Sequence, residues 1–184
     1  GQKGKVELYT WGGEMGEREA NAAGFDPIVL GAPDGEGTSS ADTRDAVRAF
    51  VERGVDLILF VGGDGTAVDV AETLEEIDDE TPILGVPGGV KVYSSVFAVT
   101  PRAAGRMAMS FDRTEVREVN DIDEDAYRGG DVNTELKALA SVPVGDELQS
   151  SKQIGGGTVE TLAGAVAADI RDDSGTTHVL GPGS

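Results

Sequence analysis

The sequence contains no cysteine and only one histidine, His178. Without cysteine, disulfide bonds, thiolate metal sites and cysteine catalysis are excluded. One imidazole cannot build a histidine-rich zinc site, and the apolar, strand-like neighbours of His178 favour a structural role over a catalytic one. The chain therefore belongs neither to the thiol-dependent enzymes nor to the histidine-rich zinc proteins.

Basic residues are also scarce, with 15 Lys and Arg against 34 Asp and Glu and a net charge of −19. Such a chain has no basic stripe to neutralise the phosphates of a duplex, so we expect no nucleic-acid partner. The balance is typical of halophilic archaeal proteins, because a Debye length of roughly 3 Å at 1 M salt screens self-repulsion. An acidic mesophilic protein is the alternative.

No apolar run approaches the ~18 residues of a membrane span, and no secretory signal is recognisable. We therefore expect a cytoplasmic protein without a membrane partner. The chain begins at Gly1 rather than Met, so we also expect that the gene product starts further upstream.

The chain is organised around residues 55–77. The apolar run 55–61 is typical of a strand buried on both faces of a parallel sheet. Gly62-Gly63-Asp64-Gly65-Thr66, the first glycine loop, follows it. Apolar residues then recur at helical spacing over 67–77, with Thr66 as the expected N-cap and Asp69 completing a capping box.

A strand that enters a helix through glycine exposes main-chain N–H groups at the positive end of the helix dipole. Phosphate binds well there, and glycine lets a nucleotide approach the backbone closely. Asp64 is the exception among these phosphate-seeking amides. A carboxylate is tolerable at this place if it meets a magnesium ion, a ribose hydroxyl or a proton in transit.

The first glycine loop after a buried strand resembles the signature of the NAD kinase and diacylglycerol kinase superfamily. The stretch from Gly85 to Ser94, GVPGGVKVYS, is similar to the corresponding loop of archaeal ATP-NAD kinase-like proteins, described as predicted polyphosphate/ATP-NAD kinases. The resemblance implies a phosphotransferase with ATP or polyphosphate, NAD and Mg²⁺ as its ligands. It also implies that Asp64 is catalytic and that Gly62, Gly63, Gly65 and Thr66 contact the nucleotide.

The remaining pattern predicts alternating strands and helices. Strands are expected at 6–9, 26–30, 82–86, 114–119, 132–144 and 177–180, and helices at 38–53, 101–111 and 158–170, with a short helix reaching Ala23. This order favours an α/β fold with an open, mostly parallel, Rossmann-like sheet. We predict a nucleotide-binding domain at 1–111 and part of a second, smaller α+β domain at 112–184.

The second glycine loop, residues 87–89, predicts another strand-to-helix crossing that faces the same crevice, with the helix running over 90–97. Gly88 and Gly89 supply its corner. Lys91 is the candidate for a phosphate contact, because an anionic chain that binds an anionic ligand needs local cations. An ordinary surface lysine is the alternative. Tyr93 and Ser94 are expected to line the pocket.

Asn120 and Asp121 are similar to the asparagine–acid pair that NAD kinases use to hold the substrate nucleotide. A solvated turn is the alternative. Asp121 is also followed by acids at alternate positions, but Ala126 occupies the glycine position of a calcium loop and no acid occupies its twelfth position, so a calcium site is excluded.

The leading hypothesis is transfer of a phosphoryl group to the 2′-hydroxyl of NAD, a reaction that depends on positioning and charge neutralisation. A lipid or small-alcohol kinase is the second hypothesis, although no basic amphipathic surface favours a membrane-borne substrate. A nucleotide-binding sensor without catalysis is the third. We expect a small-molecule nucleotide as partner, and a homo-oligomer.

The charge balance generates a first prediction: folding and activity require roughly molar KCl, because only screening makes the net charge tolerable. Thermal unfolding in dilute buffer and in about 2 M KCl, where the Debye length is negligible, checks it. An unchanged unfolding midpoint contradicts the prediction.

Overall fold

The computed structural model describes residues 6–35, 37–89, 91–122, 134–145 and 148–149. All of them belong to one compact unit, 1–152, and a second unit spans 153–184. The helix and strand predicted at 158–170 and 177–180, together with His178, lie outside the described residues. The proposed domain boundary between 111 and 112 stays a prediction.

The described part is a mixed α/β structure in which short strands and helices alternate up to the fourth helix, as the sequence predicts. An antiparallel hairpin follows. The elements are β1 Tyr9–Thr10, α1 Glu17–Ala22, β2 Ile28–Val29, α2 Ser40–Arg53, β3 Ile58–Gly62, α3 Asp64–Glu76, β4 Ile83–Pro87, α4 Pro101–Ser110, β5 Thr114–Ile122 and β6 Thr134–Pro143.

The strands of the described part pair two by two. β1 and β2 are parallel, β3 and β4 are parallel with Phe60 opposite Gly85, and β5 and β6 are antiparallel. The parallel pair β3–β4 is joined through α3, which is the crossover that parallel neighbours require. A single open sheet that contains all these strands stays a prediction.

The central strand differs from its prediction in burial. Ile58 and Phe60 are buried, but Leu59 is 49% exposed and Val61 is 70% exposed. The expectation that β3 is buried on both faces is therefore wrong. The alternation has a direct cause, since successive side chains of a strand point to opposite faces and only one face of β3 is packed against the core.

Helix α2 ends at Arg53 as predicted and begins at Ser40, two residues after the predicted start at 38. Ser39 is its N-cap and forms a capping box with Asp42, whose carboxylate accepts from the Ser39 N–H at 2.8 Å. The hydrogen bond from the Ser39 side chain lowers the pKa of Asp42. Gly54 ends the helix in the left-handed region at φ 72°, a conformation that glycine adopts without a steric penalty.

Helix α3 lies at the centre of the described core. It buries Ala67, Val70 and Leu74 against the apolar faces of both the β3–β4 pair and the β5–β6 hairpin. Its outer face is bonded to α2 through Arg44, whose guanidinium lies 3.1 Å from Asp69 and 3.1 Å from Glu72. Helix α3 is thereby held between α2 and the two strand pairs.

The core also explains a glycine in β4. Gly85 pairs with Phe97, and a Cβ atom at Gly85 would lie 2.4 Å from the Phe97 ring. That ring packs edge-on against Phe60 with centroids 5.4 Å apart. A larger residue at position 85 would therefore displace an aromatic pair.

The helix predicted after the second glycine loop does not form, and this expectation is wrong. Residues 91–99 run as turns and isolated bridges. The amides of Tyr93 and Ser94 donate to Asp64, and the amide of Ser95 donates to the carbonyl of Glu118. Amides engaged in this way cannot make the i to i−4 hydrogen bonds of an α-helix.

Strand β5 extends beyond its predicted end at Val119. Asn120 and Asp121 pair with Leu136 and Glu135, so the alternative of a solvated turn at these two residues is wrong. Helix α4 begins as predicted, with Thr100 as its N-cap and Pro101 in the first turn. Within the described ranges, none of the helices has the length and apolarity needed to cross a membrane.

Candidate active site

Helix α3 begins three residues earlier than the sequence predicts. Its N-cap is Gly63, which makes no side-chain capping bond, and Asp64 is the first helical residue. The expected capping box of Thr66 and Asp69 is therefore wrong. Asp69 instead accepts from Ser40 and Arg44. This position stabilises the carboxylate of Asp64, because a negative charge in the first turn interacts favourably with the helix dipole.

Asp64 is 7% exposed, and its two oxygens accept one main-chain hydrogen bond each. Tyr93 N–H donates to Oδ2 and Ser94 N–H donates to Oδ1, both at 2.8 Å. A buried carboxylate is costly unless it is hydrogen-bonded, and short bonds to a charged acceptor are among the stronger ones. Asp64 therefore connects the first glycine loop to the segment that follows the second.

The two glycine loops also touch directly at their backbones. The amide of Gly88 donates to the carbonyl of Gly62 at 3.2 Å. A Cβ atom at Gly62 would lie 2.5 Å from the Thr66 hydroxyl, so the first helical turn folds back over the loop because position 62 has no side chain. Gly65 and Gly89 are exposed nearby, at the carboxyl ends of β3 and β4.

The junction of the loops is the place where Asp64 bonds to Tyr93 and Ser94 and where Gly88 bonds to Gly62. Lys91 and Tyr93 form a pair beside this junction. Lys91 is exposed, and its Nζ lies 4.9 Å from the centroid of the buried Tyr93 ring. An ammonium group at that distance is attracted by the face of the ring. The pair holds a positive charge next to the residue whose amide bonds to Asp64.

Ser94 extends the connection to β5. Its hydroxyl donates to the carbonyl of Asn120 and accepts from the amide of Asn120, both at 2.9 Å. The structure thus brings together Asp64, Ser94 and the backbone of Asn120, three residues that the sequence separates widely. Asp121 follows Asn120 in the same strand.

The sequence could not reveal these hydrogen bonds. Asp64 is separated from its two donors by 29 and 30 residues, and main-chain donors leave no mark on residue type. The adjacent serines 94 and 95 are the sequence feature that could have indicated such bonds. Buried hydroxyls need partners, and two in succession beside a glycine turn indicate bonds to a neighbouring backbone.

Metal binding has limited support from side chains. Within the part of the chain that the structure describes, no group of three or more histidine, aspartate or glutamate side chains could hold a metal ion. Asp64 contributes a carboxylate to the junction of the loops. An ion there would need ligands from a substrate and from water, which is how Mg²⁺ is usually bound beside phosphates.

The arrangement combines a helix N-terminus, two adjoining glycine loops and one buried carboxylate at the carboxyl ends of parallel strands. These features are typical of α/β domains that bind phosphate at a helix N-terminus. The family model of the ATP-NAD kinase N-terminal domain matches residues 5–116, more than half of the 184 residues. The chain therefore belongs to the NAD kinase family.

Both glycine loops lie inside the matched range, whereas Asn120 and Asp121 lie just beyond it. The chain carries the domain of a kinase, from a family whose substrates are ATP and NAD. The comparisons found no matching curated protein and no matching solved structure.

The geometry of Asp64 predicts a stability effect for Asp64→Asn. An asparagine side chain can accept only at its carbonyl, so its NH₂ group would face the amide of Tyr93 or Ser94 and leave a buried donor without an acceptor. We expect a loss of about 1–3 kcal/mol in the free energy of unfolding. Denaturant titration at high KCl measures it.

Glu75→Gln is the matched control, since it removes one negative charge from an exposed position of the same helix. We expect its free energy of unfolding to stay within about 0.5 kcal/mol of the wild type. Equal stability of the two variants would contradict the hydrogen bonds of Asp64.

Proposed function

We propose that this protein transfers the terminal phosphoryl group of ATP or polyphosphate to the 2′-hydroxyl of the adenosine ribose of NAD, giving NADP. The supporting observation is the junction itself. A buried carboxylate lies at the N-terminus of α3, between two glycine loops that are hydrogen-bonded to each other. Membership of the NAD kinase family supports the choice of NAD as acceptor.

Asp64 is the catalytic residue in this proposal. A carboxylate offers about four lone-pair sites, and the amides of Tyr93 and Ser94 use two of them. A substrate hydroxyl can donate to a remaining site while both main-chain bonds stay in place. Asp64 then orients the hydroxyl and accepts its proton as the oxygen attacks the phosphorus.

The donor phosphates are assigned to the glycine loops. Main-chain amides of Gly62, Gly63, Gly65 and Gly89 line the cleft in this proposal, with Thr66 beside them. Gly88 shapes the cleft, since its own amide is bonded to the carbonyl of Gly62. Lys91 supplies the cation that an anionic ligand requires in a chain of net charge −19. Tyr93 supports that cation through its ring.

Mg²⁺ fits the site in one specific way. Asp64 is the carboxylate at the junction, and one carboxylate with phosphate oxygens and water is an ordinary ligand set for this ion. When bound, Mg²⁺ neutralises charge on the transferred phosphoryl group. Asn120 and Asp121 are assigned to the acceptor nucleotide.

The fold and composition support two finer parts of the proposal. The parallel pair β3–β4, joined through α3, supports an open Rossmann-like sheet with its ligand beyond the carboxyl ends of the strands. The acid surplus supports a halophilic protein.

A nucleotide-binding domain without catalysis is the second candidate. One observation favours it: both oxygens of Asp64 already have donors, so the carboxylate also satisfies a purely structural role. The candidates differ in what loss of the carboxylate does to turnover.

For the kinase, we expect Asp64→Asn to reduce kcat by 10² or more, the usual scale for losing a general base. NADP formation is measured at saturating NAD and ATP in high KCl. Saturation matters, because a shift in the loops that only weakens binding is then compensated by substrate concentration.

Ser39→Ala is the control for stability, since loss of the N-cap of α2 costs about 1 kcal/mol away from the site. It should keep near-normal kcat. Near-normal turnover in Asp64→Asn would reject the catalytic role, and nucleotide binding by a wild-type protein that forms no NADP would select the second candidate.

Lys91 generates a separate prediction. Lys91→Ala should weaken ATP binding by about 1–3 kcal/mol, the scale of a charge-assisted hydrogen bond, which calorimetric titration detects. The control is Lys137→Ala, which removes the same charge from β6, where Nζ lies 2.7 Å from Glu135. Unchanged ATP affinity in Lys91→Ala, or equal losses in both variants, rejects the phosphate contact.

A further inference from the structure

We propose that Ser94 is a positioning residue that fixes the backbone of Asn120 relative to Asp64 and thereby controls binding of the acceptor nucleotide. The inference rests on the proposed function, in which Asp64 meets the acceptor hydroxyl and Asn120 belongs to the acceptor site. It gives Ser94 a role that is distinct from lining the nucleotide pocket.

Ser94 is bonded to both residues at once. Its N–H donates to Asp64 Oδ1 at 2.8 Å, while its hydroxyl donates to Asn120 O and accepts from Asn120 N, each at 2.9 Å. The residue is 1% exposed. Water therefore has little access with which to replace the hydroxyl. The hydroxyl uses its donor and an acceptor site on the same residue, Asn120.

The hydroxyl continues a strand-like pairing along the edge of β5. Residues two apart in a strand turn their N–H and C=O groups to the same edge, so Glu118 and Asn120 share one. The Ser95 amide bonds to Glu118 O at 3.1 Å. At Asn120 the Ser94 side chain does what the backbone of a neighbouring strand would do, accepting from N–H and donating to C=O.

The bonds between Ser94 and Asn120 lie at an irregularity in the pairing of β5 with β6. The register with β6 shifts between Val119 and Asn120: Val119 pairs with Ala138, but Asn120 pairs with Leu136. An extra residue in the partner strand disrupts the ladder locally and changes the twist. The Ser94 hydroxyl therefore holds Asn120 at the point where pairing with β6 constrains it least.

Substitution at Ser94 can separate an effect on acceptor binding from an effect on donor binding. Ser94→Ala retains the N–H that bonds to Asp64 and removes only the hydroxyl that holds Asn120. The glycine loops and Lys91, which are assigned to the donor, keep their contacts. The acceptor alone should then bind less well.

The first test is calorimetric titration of the full-length protein with NAD and with ATP at high KCl. We expect Ser94→Ala to raise the Kd for NAD about tenfold, as loss of positioning hydrogen bonds would, and to leave the Kd for ATP within about twofold. Ser95→Ala is the matched control. It removes an equally buried hydroxyl whose acceptor, Glu118 O, keeps its bond from the Ser95 amide.

An unchanged Kd for NAD, equal losses for NAD and ATP, or an equal effect of Ser95→Ala overturns the role of Ser94. Failure of the wild-type protein to bind NAD overturns the proposed function itself.

The second test is independent of ligands. Amide hydrogen exchange should show the Asn120 N–H protected in the wild-type protein and exchanging at least about tenfold faster in Ser94→Ala but not in Ser95→Ala. Rapid exchange of this amide in the wild type overturns the hydrogen bond even if the variant does not fold.

Discussion

A carboxylate taken out of water must find hydrogen-bond donors, and this requirement organises the site around Asp64. Its donors are the amides of Tyr93 and Ser94, so the start of α3 and the segment after β4 are held together by the same side chain. The direct bond between Gly88 and Gly62 adds a second connection. Because these amides donate to Asp64, they cannot make the hydrogen bonds of an α-helix, and the segment after the second glycine loop forms none. That segment lies along the edge of β5 instead.

The chemistry and the architecture depend on the same contacts. The α3 dipole favours an acid in its first turn. In the proposed mechanism, the spare lone pairs of Asp64 receive a substrate hydroxyl while its bonds to the Tyr93 and Ser94 amides stay in place. Arg44 fixes the outer face of α3 by bonding acids of that helix to α2, and the buried face packs against two sheets. The position of the carboxylate is therefore set by the core.

Sequence patterns predicted the elements whose signals are local. Ser39 and Gly54 cap the ends of α2, and Thr100 with Pro101 marks the start of α4. Such signals can be recognised in the sequence because caps act within a few residues. The same rule failed for α3, where Thr66 had the residue type of an N-cap but the carboxylate of Asp64 found distant donors and the helix began earlier. The helix predicted over 90–97 failed for the same reason. Contacts between main-chain amides and a side chain 29 residues away leave no periodicity to read, so the glycine loops could be located from sequence but their connection could not.

The most direct test of the account is a structure of the protein with NAD and a non-hydrolysable ATP analogue bound. If Asp64 is the general base, the 2′-oxygen of the adenosine ribose lies within about 3 Å of a carboxylate oxygen of Asp64. The account also predicts that the Tyr93 and Ser94 amides still donate to that carboxylate and that the analogue's phosphates contact the glycine loops. An adenosine ribose bound away from Asp64, or an Asp64 that leaves both amides when the nucleotides bind, would contradict it.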